Sequence, residues 1–121
     1  MKRINVEIAD TSEKLAQGLM FRKSLDQDDG MLFKFPSKNF MSFWGKNTYI
    51  PLDLAFINNE GKIIEIKEIV PMSTKAIRSA FPCRYALEVN AGFFDEQDIK
   101  VGSKIEIDEK NGKIKFFNEL V

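Results

Sequence analysis

The chain has no histidine, one cysteine, one tryptophan and four prolines, and its charges cancel, with 18 Lys plus Arg against 18 Asp plus Glu. Each shortage closes off some chemistry. Without histidine there is no Ser-His-Asp or Cys-His catalysis and none of the usual zinc or iron sites, so no metal is expected. One cysteine, Cys83, cannot build an internal disulfide framework. A net charge of zero supplies no general field toward nucleic acid or an anionic membrane, and neither is expected as a partner. No apolar run reaches the length of a signal peptide or a membrane span. As given, the chain reads as cytoplasmic, and a form trimmed of its leader would read the same. No glycine spacing matches a dinucleotide fingerprint or a P-loop, so no cofactor is expected.

What is present is mostly strand. The 121 residues fit a single domain, 1–121, large enough to bury a core without staples. "RINVEIA" sets Ile4, Val6 and Ile8 on one face, and "MLFKF" does the same with Met31, Phe33 and Phe35 before Pro36 closes the strand. Between them, Asp10 is placed to cap a short helix, with Glu13 three residues on and Gly18 as its exit. A short strand at "MSFW" follows. "LDLAFIN" and "KIIEIKEIV" read as a hairpin through "NEG", and "SKIEIDEKNGKIKFF" as a second one turning at Asn111-Gly112. "RYALEV" is a further strand and "AGFFDEQD" a helical turn, while Pro71 to Pro82, which lacks alternation, reads as a loop able to cover a site. Many strands, one or two short helices and no βαβ rhythm indicate a mainly β, antiparallel sandwich or barrel.

Three weak chemical signals are better explained structurally. "DQDDG" has a glycine where a calcium loop needs a ligand, so it reads as a solvated acidic turn. Cys83 beside Arg84 has no base partner and reads as a small buried hydrophobe. The 11 phenylalanines alternate within strands, as core residues do, rather than forming an open stacking platform.

The informative stretch is "FWGKNTYIPLDLAFI", where Lys46, Asn47 and Thr48 interrupt apolar sequence and Asp53 is set among Leu52, Leu54 and Phe56. Asp53 shares a face with Ala55 and Ile57, so it is not freely solvated. In "RYALEV", Arg84 and Glu88 share a face. Were the two strands neighbours, Asp53, Glu88, Arg84 and Lys46 would form one polar cluster beside Trp44, paired internally or completed by a ligand. Equally, Asn47 and Thr48 are residues that hydrogen-bond a turn, and Asp53 is suited to accept from backbone amides.

"GLMFRKSL", "GMLFKF", "FWGKNTYIPLDLAFI", "RYALEVNAG" and "IKVG" follow the order and spacing of the family called domain of unknown function 192, which this chain resembles from Val6 to about Ile107. The resemblance implies a compact β-sandwich of jelly-roll type with no assigned biochemical function. It also places the family's polar motif at Arg22, Trp44, Lys46, Asn47, Thr48, Asp53 and Glu88. One departure is Gly45, where similar sequences carry methionine; losing that side chain is expected to open space or loosen the turn beside Trp44. Many relatives carry an export leader that the chain as given lacks.

These readings leave three classes of function. The first is a non-catalytic binding module for a sugar or other small polar ligand at Trp44, Lys46, Asn47, Thr48, Asp53 and Glu88, with Arg22 and Arg84 nearby and the 72–81 loop as roof. The second is a structural or protein-interaction domain in which the motif only shapes the fold. The third is a hydrolase using Asp53 and Glu88 as an acid and base pair, which requires both to face one cleft.

Overall fold

The structure, a computed structural model, describes residues 2–117. Its strands are β1 (Lys2–Ala9), β2 (Asp29–Asn39), β3 (Ser42–Phe43), β4 (Leu52–Ile57), β5 (Ile63–Ile69), β6 (Ile77–Arg78), β7 (Cys83–Asn90), β8 (Lys104–Asp108) and β9 (Lys113–Phe117). The helices are α1 (Ser12–Gln17) and α2 (Phe93–Glu96). Seven strands form one sheet in the order β5-β4-β7-β2-β1-β9-β8, and β3 pairs with β6 as a separate ribbon. All pairings are antiparallel except β1 with β2, where α1 and the acidic turn carry the chain across. The sheet is therefore mixed, a correction to the wholly antiparallel expectation. A parallel pair needs a crossover, and residues 10–28 supply it.

The sheet curls until its outer strands meet at one end. Lys62 bridges Lys104, and Ile63 N–H donates to the Ser103 carbonyl at 3.0 Å. The result is a half-barrel. Its concave side packs Ile4, Val6, Leu32, Ile57, Leu87 and Phe116, plugged by Phe93 and Phe94 of α2. The rings of Phe93 and Phe94 lie 5.8 and 6.3 Å from Phe116.

The convex side of β2, β4 and β7 is a second core rather than a wetted face. Met31, Phe33, Leu52, Leu54, Phe56 and Ala86 are buried there beneath Leu19, Met41 and Ile50. Every residue of β4 is buried as a result, as the apolar character of both its faces predicts. Full burial of side chains of this size is worth about 1.5–3 kcal/mol each, which holds the covering segments on the sheet.

Local expectations are corrected at three points. Thr11, not Asp10, caps α1, its Oγ1 accepting from Lys14 N–H at 3.2 Å. Pro36 does not close β2, which runs on to Asn39. It sits where the ladder with β7 skips between Lys34 and Asn39, and a missing N–H costs no pairing there. The 71–82 segment contains β6, whose Ile77 and Arg78 pair with Phe43 and Ser42. Cys83 is fully buried in the convex core, and that burial pushes its thiol pKa up.

Candidate functional site

β4 and β7 are hydrogen-bonded neighbours, and their register decides which polar residues meet. Leu54 faces Glu88 and Asp53 faces Val89, which puts Glu88 on the convex side and Asp53 on the concave side. The expected Asp53–Glu88 cluster is not formed, because paired residues share a face and the two carboxyls belong to successive pairs. The acid and base pair required of a hydrolase at these residues has no shared cleft.

Glu88 is 5 % exposed and stands between Leu54 of β4 and Met31 of β2. Among the described residues no donor or cation meets its carboxyl, and desolvation alone raises its pKa from 4.5 to about 8. Burial disfavours the charged form when nothing offsets it. The carboxyl opens into a cavity of about 290 Å³ lined by the last turn and exit of α1 (Leu15 to Met20), by Phe33, and by Ser42, Phe43, Trp44 and Thr48. Glu88 is the only charged residue of that lining. Gly18 makes the depth possible. Its backbone, at φ 52° and ψ −132°, lies where only glycine is comfortable, and a Cβ there would stand 3.2 Å from Phe33 Cζ.

The mouth is built by the Lys46–Thr48 turn. Thr48 N–H donates to the Gly45 carbonyl at 3.0 Å, and Asn47 takes the left-handed position with φ 55°, which asparagine tolerates. Asn47 offers its carbonyl to Phe21 N–H at 2.8 Å, and Met72 N–H donates to the Gly45 carbonyl at 2.8 Å. The buried Thr48 turns its hydroxyl onto the Lys46 carbonyl at 3.2 Å. Lys46 carries its Nζ 5.1 Å from the centroid of the ring of Trp44, a residue 43 % exposed.

Gly45 neither opens space nor loosens this turn. A Cβ at that position would fall 1.9 Å from the Val70 carbonyl oxygen, so glycine is what allows the turn to pack on the end of β5.

Of the eight residues selected from sequence, Glu88, Trp44 and Thr48 line the cavity, Lys46 is outside the lining with its ammonium over the Trp44 ring, and Asn47 shapes the turn. Asp53 belongs elsewhere. It accepts from Gly92 N–H at 3.0 Å and anchors the start of α2. Its pKa is raised, first by burial, against the lowering effect of the Gly92 bond. Arg84 donates Nε–H to the Phe35 carbonyl at 3.1 Å and does not pair with Glu88. Arg22 makes a bidentate pair with Glu7, Nη2 to Oε1 at 2.9 Å, and so holds the Glu7 carboxyl below its usual pKa. The 72–81 loop is absent from the cavity lining; the roof is α1's exit instead. Sequence reading missed Gly18, Leu19, Phe33 and Phe43 as lining, since each reads as helix exit or core.

A larger groove, about 480 Å³, runs along β1, β8 and β9, lined by charges of both signs, among them Arg3, Lys113, Asp28 and Glu106. It contains no isolated buried charge and points to no ligand.

Residues 1–107 match the DUF192 family, described as an uncharacterized ACR. The chain belongs to this family. Two solved structures resemble this DUF192 chain at a TM-score of 0.83. One is a protein of Sinorhizobium meliloti 1021 whose name proposes a transcription regulator, 39% identical, covering 85% of this chain and 81% of its own. The other is a protein of unknown function from Novosphingobium aromaticivorans DSM 12444, 35% identical, covering 86% of this chain and 75% of its own. No curated protein matches.

Proposed function

We propose that this DUF192 protein is a non-catalytic binding module for a small polar molecule, taken into the cavity beneath Trp44 with Glu88 as its polar anchor. The observation that carries this reading is the carboxyl of Glu88, nearly fully buried, without a donor or cation among the described residues, and open to a cavity. Such a group destabilises an empty protein and is retained where a ligand completes it. Aromatic and aliphatic walls with one convergent polar group are the usual make-up of a small-molecule site, and the volume lies at the small end of the range. A sugar stacked on Trp44 and another small polar molecule are both accommodated by this lining.

The regulator name carried by the Sinorhizobium relative is compatible with a ligand-sensing part. Helices of six and four residues among the described ones are too short to supply a recognition helix pair for DNA.

A second reading, protein interaction, is favoured by the exposed apolar side chains around the mouth. Phe21, Trp44, Tyr49, Val70 and Met72 are all exposed, and the Phe21 and Tyr49 rings meet edge to face at 6.5 Å.

Thermal unfolding against sugars, carboxylates, amines and phosphates, in wild type, Trp44→Ala and Glu88→Gln, tests the binding reading. A ligand at about a hundredfold its Kd stabilises by roughly 2.7 kcal/mol, a shift of several degrees. Stabilisation that both folded variants abolish supports the cavity. A panel without any hit, together with self-association lost on Phe21→Ser, favours the interaction reading.

A further inference from the structure

Resting on the cavity as a ligand site, we infer that the ligand is a small organic cation: an ammonium group met by Glu88, carried on an apolar or aromatic body that lies among Leu19, Phe33 and Phe43. The chemistry of the lining is one-sided. Its only ionisable group is a carboxyl, and no lysine or arginine contributes to the lining. A sugar or carboxylate site would need several donors converging on the ligand, whereas this lining has no cationic donor and, beside the neutral Gln17, Ser42 and Trp44 side chains, three donors that are already engaged. Thr48 Oγ1 bonds the Lys46 carbonyl, and the Thr48 and Gly18 N–H groups bond Gly45 and Lys14 carbonyls.

The remaining lining also favours positive charge. The C-terminal end of the short helix α1 borders the cavity, and the partial charge at that end of a helix is negative. Phe33 and Phe43 stand edge to face with centroids 5.1 Å apart, and Trp44 already holds one ammonium, that of Lys46, over its ring.

Proton linkage follows from the same geometry. Facing Glu88 are Leu54 from β4, Met31 from β2 and Gly18 from the exit of α1. Charged groups on the packed elements are Lys67 of β5, paired with Leu54 in the same row, Lys46 beside the Trp44 ring, and Lys14, Arg22 and Glu7 in the adjoining depression behind Gly18 and Met31. None of these contributes to the elevation of the Glu88 pKa to about 8. At neutral pH the free carboxyl is therefore mostly protonated, and an arriving ammonium converts it to carboxylate and expels one proton.

The test is titration of the full chain with ethylamine, 2-phenylethylamine and tryptamine, alongside neutral 2-phenylethanol, anionic 3-phenylpropionate and glucose. It is read by the amide resonance of Gly18 and the indole resonance of Trp44, and by calorimetry in two buffers of different ionisation heat. Expected are saturable amine binding, release of one proton, affinity rising about tenfold per pH unit over roughly pH 6 to 7.5, and loss of at least about tenfold in Glu88→Gln. Glu88→Gln removes a buried ionisable group and is expected to fold. Binding of the alcohol, acid or sugar with no amine preference and no dependence on Glu88 overturns the cation and leaves the ligand site standing. If nothing in the panel binds, both readings fall together.

Discussion

Gly18 and Glu88 meet inside the cavity, where the exit of α1 comes down on β7: a Cβ on Gly18 would stand 3.7 Å from Glu88 Oε1 and 3.2 Å from Phe33 Cζ. The exit of α1 is thus packed on the buried Glu88 carboxyl of the convex face. Gly18→Ala would strain a backbone at φ 52° and push into Phe33, costing about 1–3 kcal/mol. Its melting temperature should fall by several degrees, and any cavity ligand should bind more weakly. An unchanged melting temperature would mean the exit of α1 does not sit as described.

Glu88 makes stability depend on pH in a definite direction. Its carboxyl titrates at about 8 in the folded chain and at the ordinary 4.5 when unfolded, so between these values the folded state holds the extra proton. Stability falls as pH rises through that window, by up to about 1.4 kcal/mol per unit, and the slope flattens above the folded value. The stabilisation is complete below pH 4.5 and is lost by about pH 8. Glu88→Gln should remove this slope, so the gap in melting temperature between variant and wild type should widen from pH 5 to pH 8. The Glu7–Arg22 pair acts in the opposite sense and only in acid, where the lowered Glu7 carboxyl becomes protonated and stability is lost. A gap that stays constant across neutral pH would remove Glu88 as an isolated buried acid.

Gly45 tests the packing of the mouth. A Cβ there would overlap the Val70 carbonyl oxygen at 1.9 Å, and backbone cannot yield as a side-chain tip can. Gly45→Ala should cost at or above the upper end of the about 1–3 kcal/mol typical of overpacking. Gly45→Met should cost at least as much, because the 45–48 turn and the end of β5 would have to separate. Denaturant unfolding of the two variants measures this directly, and neutral substitutions would show that the turn and β5 do not pack this closely.

The strands were legible because their periodicity is strong. Ile4, Val6 and Ile8 share the concave core, Met31, Phe33 and Phe35 the convex one, and the two faces of β4 are both buried as its composition predicts. Register was not legible. Whether Glu88 lies opposite Asp53 or opposite Leu54 is a shift of one residue, and that shift exchanges faces. The sequence therefore singled out both carboxyls yet joined them wrongly. The cavity was hidden for another reason. Its walls are Leu19, Phe33 and Phe43, chemically indistinguishable from core, and only the fold leaves space between them.

Asp53 separates fold from site most cleanly. Buried on the concave face, it accepts from Gly92 N–H at 3.0 Å and stands opposite Glu68 across the β4–β5 ladder. Burial and the nearby Glu68 and Asp95 charges raise its pKa, while the Gly92 and Phe94 amides oppose the rise. Asp53→Asn keeps an acceptor oxygen and removes the repulsion, so its stability at neutral pH should equal or exceed wild type. Asp53→Ala leaves the two amides at the start of α2 without their acceptor and should cost about 1–3 kcal/mol. Because the sheet stands between Asp53 and the cavity, both variants should bind cavity ligands with wild-type affinity wherever they are folded. A folded Asp53→Asn that loses binding would place the ligand on the concave side, and the site would then have to be moved from Glu88 to the start of α2.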